Sequence, residues 1–366
     1  MGAIHAQSVV DGSILRCQLT AVCDPRPERL NQFSSIEGFA SVDDFLRSSD
    51  ADAVLIATPH YSHTTIGIKA LEAGRHLLVE KPISVHKSDG ERLLAAHRGL
   101  NQVFAAMFNQ RTDPFFLKLR QLVQSGDLGA IRRVSWTITN WFRTEAYYQS
   151  SDWRATWAGE GGGVLLNQCP HNLDLFQWIF GMPAQVRAFC HFGRYHDIEV
   201  EDDVTAYLEY SDGMTAVFST STGEAPGTNR LEVAAERGRV VIENDLFLFN
   251  RNEVPMGEFS RTDPGRFSAP QTWEIRIPIS GHGPQHNGVL GNFVSAILDG
   301  APLIAPAREG LNSLELANAF LLSTLENRAI TLPIDGAFFN QHLQKLIASS
   351  TRPKPGVFRT GSDDMH

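Results

Sequence analysis

Four short runs that are apolar from end to end, separated by segments with helical spacing, dominate residues 1–108. They are LTAVCD (19–24), AVLIA (53–57), HLLV (76–79) and VFAAM (103–107). A strand wet on one side alternates apolar and polar residues, whereas a strand apolar throughout is buried on both faces. Residues 4–10, 28–33, 64–73 and 88–97 carry the helical pattern. Ser41 stands as an N-cap before Val42, Asp43 and Asp44, and Gly74 is placed to stop the helix before it. This alternation predicts a parallel sheet covered by helices on both sides, a doubly wound α/β domain with its ligands at the carboxyl ends of the strands.

After residue 108 the pattern changes. Residues 114–124 read as a helix closed by Gly126 and Gly129. Segments rich in β-formers follow at 131–141, 184–192, 204–210, 215–220, 231–235, 239–243 and 273–277, with a hairpin turn signal at 210–213 (YSDG). They predict a second, α+β domain built on an antiparallel sheet. Residues 287–300 and 309–326 read as helices with apolar faces, and at least one is expected to dock back on the first domain. The expected division is 1–110 for the doubly wound domain, 111–285 for the second domain, and 286–366 for C-terminal helices and a tail. With 366 residues and 42% hydrophobic content the chain can bury two cores.

A net charge of −9 argues against a nucleic-acid surface. No apolar run has the length of a membrane span, and no secretory signal is visible. Cys17, Cys23, Cys169 and Cys190 form no CxxC pair, which suits reduced thiols in a cytoplasmic protein rather than a disulfide frame or zinc site.

Two stretches carry the chemistry. The first is ATPHYSHTTIGIKALEAGRHLLVEKPIS, 57–84. Lys81 lies just past the carboxyl end of a buried strand, where it can hold a substrate hydroxyl; taken alone it reads equally as a surface lysine in a turn. Pro82 stiffens that turn and is a candidate for a cis bond. The second is WAGEGGGVLLNQCPHNLDLFQWIFGMP, 157–183. Its three glycines allow close backbone approach. Pro170 is tolerated only in a first helical turn, so a helix is expected to begin near Asn167, with Asn167 and His171 one turn apart on one face. The helix dipole disfavours an imidazolium at that end, and a neutral imidazole is what a general base requires. A polar contact at a helix start is the competing reading. Trp153, Arg154 and Trp157 suit sugar recognition, and equally a buried aromatic core. His60 and His63 lack third and fourth ligands, so no metal is expected, and 281–286 reads as a loop leading into a helix.

AlaThrProHis (57–60), GluLysPro (80–82), AsnGlnArg (109–111), the GlyGlyGly…His run (161–171) and the tail at 299–319 stand in an order and spacing that resembles the Gfo/Idh/MocA oxidoreductases over essentially the whole chain. The resemblance implies a Rossmann domain plus a domain with a large open antiparallel sheet. It implies NAD or NADP as cofactor and hydride transfer on a sugar, cyclitol or sugar acid. On it, Lys81 contacts the reacting hydroxyl and His171 takes or gives the proton, with Asn167 beside them. Thr58, Pro59, His60, His63, Glu80, Lys81 and Asn109 fall at the cofactor. Arg111, Trp153, Arg154, Trp157, Asn167, Gln168 and His171 fall at the substrate. One departure is Asn167, since many members carry aspartate four residues before the histidine and asparagine supplies only hydrogen bonds. Asp24 ends the strand after the fingerprint helix, where an acid takes the ribose hydroxyls, so NAD is expected. Arg26 could hold a 2′-phosphate and keeps NADP open. An NAD-dependent glycosidase and a non-catalytic NAD- or sugar-binding protein remain as alternatives. A homodimer or homotetramer through the open sheet is expected.

The chain opens MGAIHAQSVV, already in a helical pattern. Gly2 falls where the third glycine of GxGxxG belongs, which puts Gly2, Ala3 and Ile4 at the cofactor. The first Rossmann strand and the first two glycines, roughly a dozen residues, are expected to be missing from the chain as written, with Met1 an internal methionine or the chain truncated.

Overall fold

The computed structural model describes residues 1–99 and 102–350. Two compact units emerge among the described residues, Met1–Asp113 with His282–Leu314, and Pro114–Gly281 with the chain from Glu315 to Ser350.

In the first unit the parallel strands Ala53–Ile56, His76–Val79 and Phe104–Ala106 form one sheet in that order. Successive side chains of a strand point to opposite faces, and here both faces are covered. Leu77 and Val79 enter a core with Phe45, Val54, Leu71 and Leu93, while Leu78 enters another with Ile14, Met107 and, from helix Gln285–Asp299, Val289, Leu290 and Phe293. That two-sided burial is why the strands are apolar throughout.

Strand Ala21–Cys23 pairs in parallel with Glu37–Phe39, an element the sequence reading did not foresee. The parallel strands therefore fall into one sheet of two and one of three. Among the described residues no backbone hydrogen bond joins the two sheets, yet Ala21, Cys23 and Phe39 pack on the same core as Val54 and Ile56.

The second unit holds a nine-stranded sheet. Its order is Thr272–Arg276, Leu246–Asn252, Gly238–Glu243, Asn229–Ala235, Ile131–Ile138, Thr215–Ser221, Glu201–Glu209, Gln185–Phe192 and Ile330–Thr331. The sheet is mixed rather than purely antiparallel, because Ile131–Ile138 and Thr215–Ser221 run parallel. Along Glu201–Glu209, Val204, Ala206 and Leu208 are buried while Thr205 and Tyr207 are exposed, so one face carries the core. Helix Pro170–Phe180 packs on that face through Phe176, whose ring lies 6.4 Å from Trp136 and 6.0 Å from Phe218. The helix begins at Pro170, later than the spacing suggested. Asn167 lies in the preceding turn, its N–H donating to the Gly163 carbonyl at 2.9 Å.

Leu77 and Leu78 are both 0% exposed. Leu77→Ala and Leu78→Ala are each expected to cost about 3 kcal/mol in urea unfolding. A cost below about 1 kcal/mol for either would contradict burial on both faces.

Candidate active site

In the first unit, strand His76–Val79 delivers Glu80 and Lys81, followed by a cis Lys81–Pro82 bond. Glu80 is buried. His5 Nε2 donates to its Oε1 at 2.6 Å, and the Lys81 backbone N–H donates to its Oε2 at 3.1 Å. The carboxylate needs a donor, which sets the tautomer of His5. His286, in the first turn of helix Gln285–Asp299, brings its ring within 5.4 Å of His5. Burial pushes the His286 pKa below the ordinary histidine range, with Glu80 opposing and His5 and Lys81 adding to the shift. Lys81 thus sits among a carboxylate and two imidazoles. The sequence reading placed His286 in a loop and gave His5 no role.

Polar groups gather at the carboxyl ends of the parallel strands, where a doubly wound domain binds its ligand. The buried Thr58 Oγ1 and Asn109 Oδ1 have no hydrogen-bond partner among the described residues, while Asn109 Nδ2 donates to Gln285 Oε1 at 2.7 Å. Pro59 caps helix His60–Glu72, which starts with the buried His60. Past strand Ala21–Cys23, Asp24 accepts from the Arg26 backbone N–H at 2.9 Å and from Arg29 at 3.3 Å. Gly2, Ala3 and Ile4 open helix Gly2–Val10, whose N-cap Met1 makes no side-chain cap bond. Among them the Ile4 N–H already donates to the Met1 carbonyl at 2.8 Å. A helix N-terminus that attracts anions, an acid past the second element and orphaned polar atoms at the strand ends fit a dinucleotide.

Two assignments in this unit are corrected. His63 is 1% exposed, with Nδ1 2.7 Å from the Pro82 carbonyl and Nε2 2.8 Å from the Thr58 carbonyl. Burial pushes its pKa down, so a neutral ring donates to one carbonyl at a time and braces two loops rather than facing a ligand. Arg111 is also 1% exposed; it donates to the Ile304 carbonyl at 3.1 Å and pairs with Glu309. It clamps the chain return, and the substrate role does not hold.

In the second unit, helix Glu145–Gln149 carries Tyr147, which the sequence reading missed. The Tyr147 oxygen accepts from Arg154 Nη1 at 2.7 Å and Gln168 Nε2 at 3.2 Å, and its hydroxyl donates to Asn167 Oδ1 at 3.3 Å. The Arg154 guanidinium lies 4.6 Å from the Tyr147 ring centre and 5.2 Å from that of Trp153. Trp153, Arg154, Asn167 and Gln168 thus cluster around Tyr147. Trp157 does not join them: it is 4% exposed and packs edge-on against Phe192 at 5.6 Å, which makes it core. His171 is the second residue of helix Pro170–Phe180 and half-buried.

Glu201 holds the triple-glycine loop from below. Its Oε1 accepts the N–H groups of Gly163 at 2.8 Å and Leu165 at 3.1 Å. A Cβ on Gly163 would lie 2.0 Å from the Glu201 carbonyl oxygen, so only glycine fits. Burial pushes the Glu201 pKa up to about 7 against the pull of these N–H groups, and the Glu160 charge adds to the rise.

Comparison with known proteins decides the family. Residues 1–108 match an oxidoreductase family with an NAD-binding Rossmann fold, and residues 116–241 match the GFO/IDH/MocA C-terminal domain. The chain belongs to the Gfo/Idh/MocA oxidoreductases. It is similar to inositol 2-dehydrogenase of Rhizobium meliloti, at 26% identity over 91% of this chain and 96% of that protein. It is similar to the NADP(+) scyllo-inositol 2-dehydrogenase IolW of Bacillus subtilis, at 25% identity over 86% of this chain and 88% of that protein. The WlbA dehydrogenase of Chromobacterium violaceum, solved with NADH and UDP-GlcNAcA, superposes with a TM-score of 0.78 at 26% identity, covering 91% of this chain and 93% of that one. This family member is an NAD(P)-dependent dehydrogenase acting on CH–OH groups of a small molecule, with NAD as its cofactor. Among the described residues no group of side chains could hold a metal ion, and no helix is long and apolar enough to cross a membrane.

Because the folded pKa of Glu201 is raised, the folded dehydrogenase binds its proton more tightly than the unfolded chain does. The stability from this group is complete below the ordinary carboxylate range and is lost as pH rises through about 7. Thermal melts should show Glu201→Gln, which keeps the accepting oxygen, gaining on the wild type as pH rises from about 4.5 to about 7, with the two curves running parallel above that. Parallel melting curves below about pH 7 as well would contradict the protonated carboxyl.

Proposed function

We propose that this dehydrogenase oxidises a secondary alcohol of a sugar, cyclitol or sugar acid, with Lys81 holding the reacting hydroxyl and His171 accepting its proton. The observation that carries the reading is the setting of Lys81, past the end of a buried strand with its backbone fixed by Glu80. NAD, when bound, supplies the acceptor for the hydride at its nicotinamide ring. The Lys81 ammonium donates to the hydroxyl oxygen and stabilises the negative charge that grows there as the proton leaves. The His171 imidazole takes that proton. Asp24 receives the ribose hydroxyls, steadied by Arg26 and Arg29. Gly2, Ala3, Thr58 and Asn109 complete the cofactor contacts, and Trp153, Arg154, Asn167 and Gln168 meet the substrate. The inositol dehydrogenases among its relatives favour a cyclitol, and the WlbA complex favours a sugar acid. A homo-oligomer joined through the outer face of the nine-stranded sheet accounts for exposed Phe189 and Tyr207 on that unit. A cytoplasmic location suits the four free cysteines.

The test is NADH formation against a panel of cyclitols, sugars and sugar acids. Lys81→Ala and His171→Ala should each lower kcat roughly 10²- to 10⁴-fold with NADH binding retained. Near-normal turnover in both variants would overturn the reading. Sugar release without NADH accumulation would point to the glycosidase alternative.

A further inference from the structure

The dehydrogenase reading leaves Asn167 without an account, because its family resemblance leads one to look for an aspartate there. The side chains around it supply one. Glu160, at the mouth of the triple-glycine loop, is 2% exposed. One of its oxygens accepts the Ala155 backbone N–H at 2.6 Å, and the other accepts the Asn167 side-chain amide. An ionised carboxylate only accepts, so the NH2 of Asn167 must face it and Oδ1 must face away. Oδ1 takes the Tyr147 hydroxyl proton, which leaves the Tyr147 oxygen to accept from Arg154 and Gln168. Every proton in the chain is thereby directed: carboxylate, amide, phenol, guanidinium, with an anion at one end and a cation at the other. All of these residues belong to one unit.

We propose that Glu160 supplies the negative charge that an aspartate at position 167 would carry, and that Asn167 passes it to the substrate-facing groups as an oriented hydrogen bond. Glu160 is then a positioning residue, and the role rests on the function proposed above. In a low-dielectric setting such a chain polarises each member in turn. Among the described residues, the charged and titratable groups around it include Tyr147 and Tyr148 on helix Glu145–Gln149, Arg154 in the loop that follows, Glu201 on strand Glu201–Glu209, and His171, four residues on from Asn167 in the first turn of helix Pro170–Phe180. Glu199 stands nearby on the Trp157 backbone N–H at 2.7 Å. An added carboxylate at 167 would therefore meet Glu160 at contact, with Glu201 opposing both.

A charge swap in the full chain tests this. The wild type, Glu160→Gln, Asn167→Asp and the double variant are melted without ligand from about pH 5 to 8.5, and NADH affinity and kcat are measured on compounds the panel finds oxidised. Asn167→Asp should lose melting temperature relative to the wild type as pH rises, because two carboxylates share one contact. The double variant, with one carboxylate again, should lose that pH dependence. Glu160→Gln should lower kcat roughly a hundredfold with NADH affinity unchanged, and the double variant should recover at least about tenfold of that loss. The proposal is overturned if Asn167→Asp tracks the wild type at every pH, or if folded Glu160→Gln keeps kcat within about twofold. A purely structural Glu160 would lower the melting temperature and leave kcat alone. If no compound on the panel is oxidised, the dehydrogenase reading falls, and the melting comparison still decides whether Glu160 carries the charge.

Discussion

The hydrogen bond between His5 and Glu80 carries the arrangement of the first unit. It joins residues 75 apart in sequence, both buried, and so fixes the first helix against the end of strand His76–Val79. A carboxyl group buried without donors is costly enough to be expelled or neutralised. Glu80 meets that cost with the His5 imidazole on one oxygen and the Lys81 backbone N–H on the other. The second bond makes the first consequential, since the carboxylate that His5 holds is what sets the backbone of the lysine. His286 closes the group, its proton affinity lowered by burial, so Lys81 keeps company with a neutral ring rather than a rival cation.

The second unit uses the same device with different residues. Glu201 anchors the N–H groups of Gly163 and Leu165, and Glu160 anchors Ala155 and the side chain of Asn167. Both carboxylates are buried and both organise the loop that leads into the helix of His171. Backbone N–H groups bound to a buried acid hold a loop more firmly than surface turns can, because breaking them leaves a buried polar group unsatisfied. A glycine-rich loop can therefore be both close-packed and ordered.

Where burial dictates the residue pattern, the sequence is a faithful guide. Leu77, Leu78 and Val79 are apolar because both sides of their strand are covered, and that alone reveals a parallel sheet. Pro114–Gln124 is bounded by proline and glycine and is visible for that reason. Glu37–Phe39 carries no such pattern, since it is a short, largely exposed strand that exists by pairing with Ala21–Cys23. Leu246–Asn252 does carry a signal in its sequence: Asn244 and Asp245, both with positive φ, make the two-residue turn that folds it onto Gly238–Glu243. In the site, Lys81 and His171 stand out through their neighbours in sequence, GluLysPro and the triple glycine. His5, Tyr147 and Glu160 do not, because each acts through a contact made only in three dimensions. Arg111, His63 and Trp157 show the converse, polar or aromatic residues beside a motif that turn out to brace the fold. Glu160, next to the glycines, was the missed residue most open to detection, as a lone acid in a segment otherwise apolar or small.

His5, through Glu80, fixes the backbone of Lys81. Amide hydrogen exchange at Lys81 tests it without any substrate. In His5→Leu, Glu80 loses the imidazole on its Oε1, and the Lys81 amide should exchange at least about tenfold faster while the amides of Leu77 and Leu78 keep their wild-type protection. Unchanged exchange at Lys81 in a folded His5→Leu variant would show that His5 does not hold the lysine backbone.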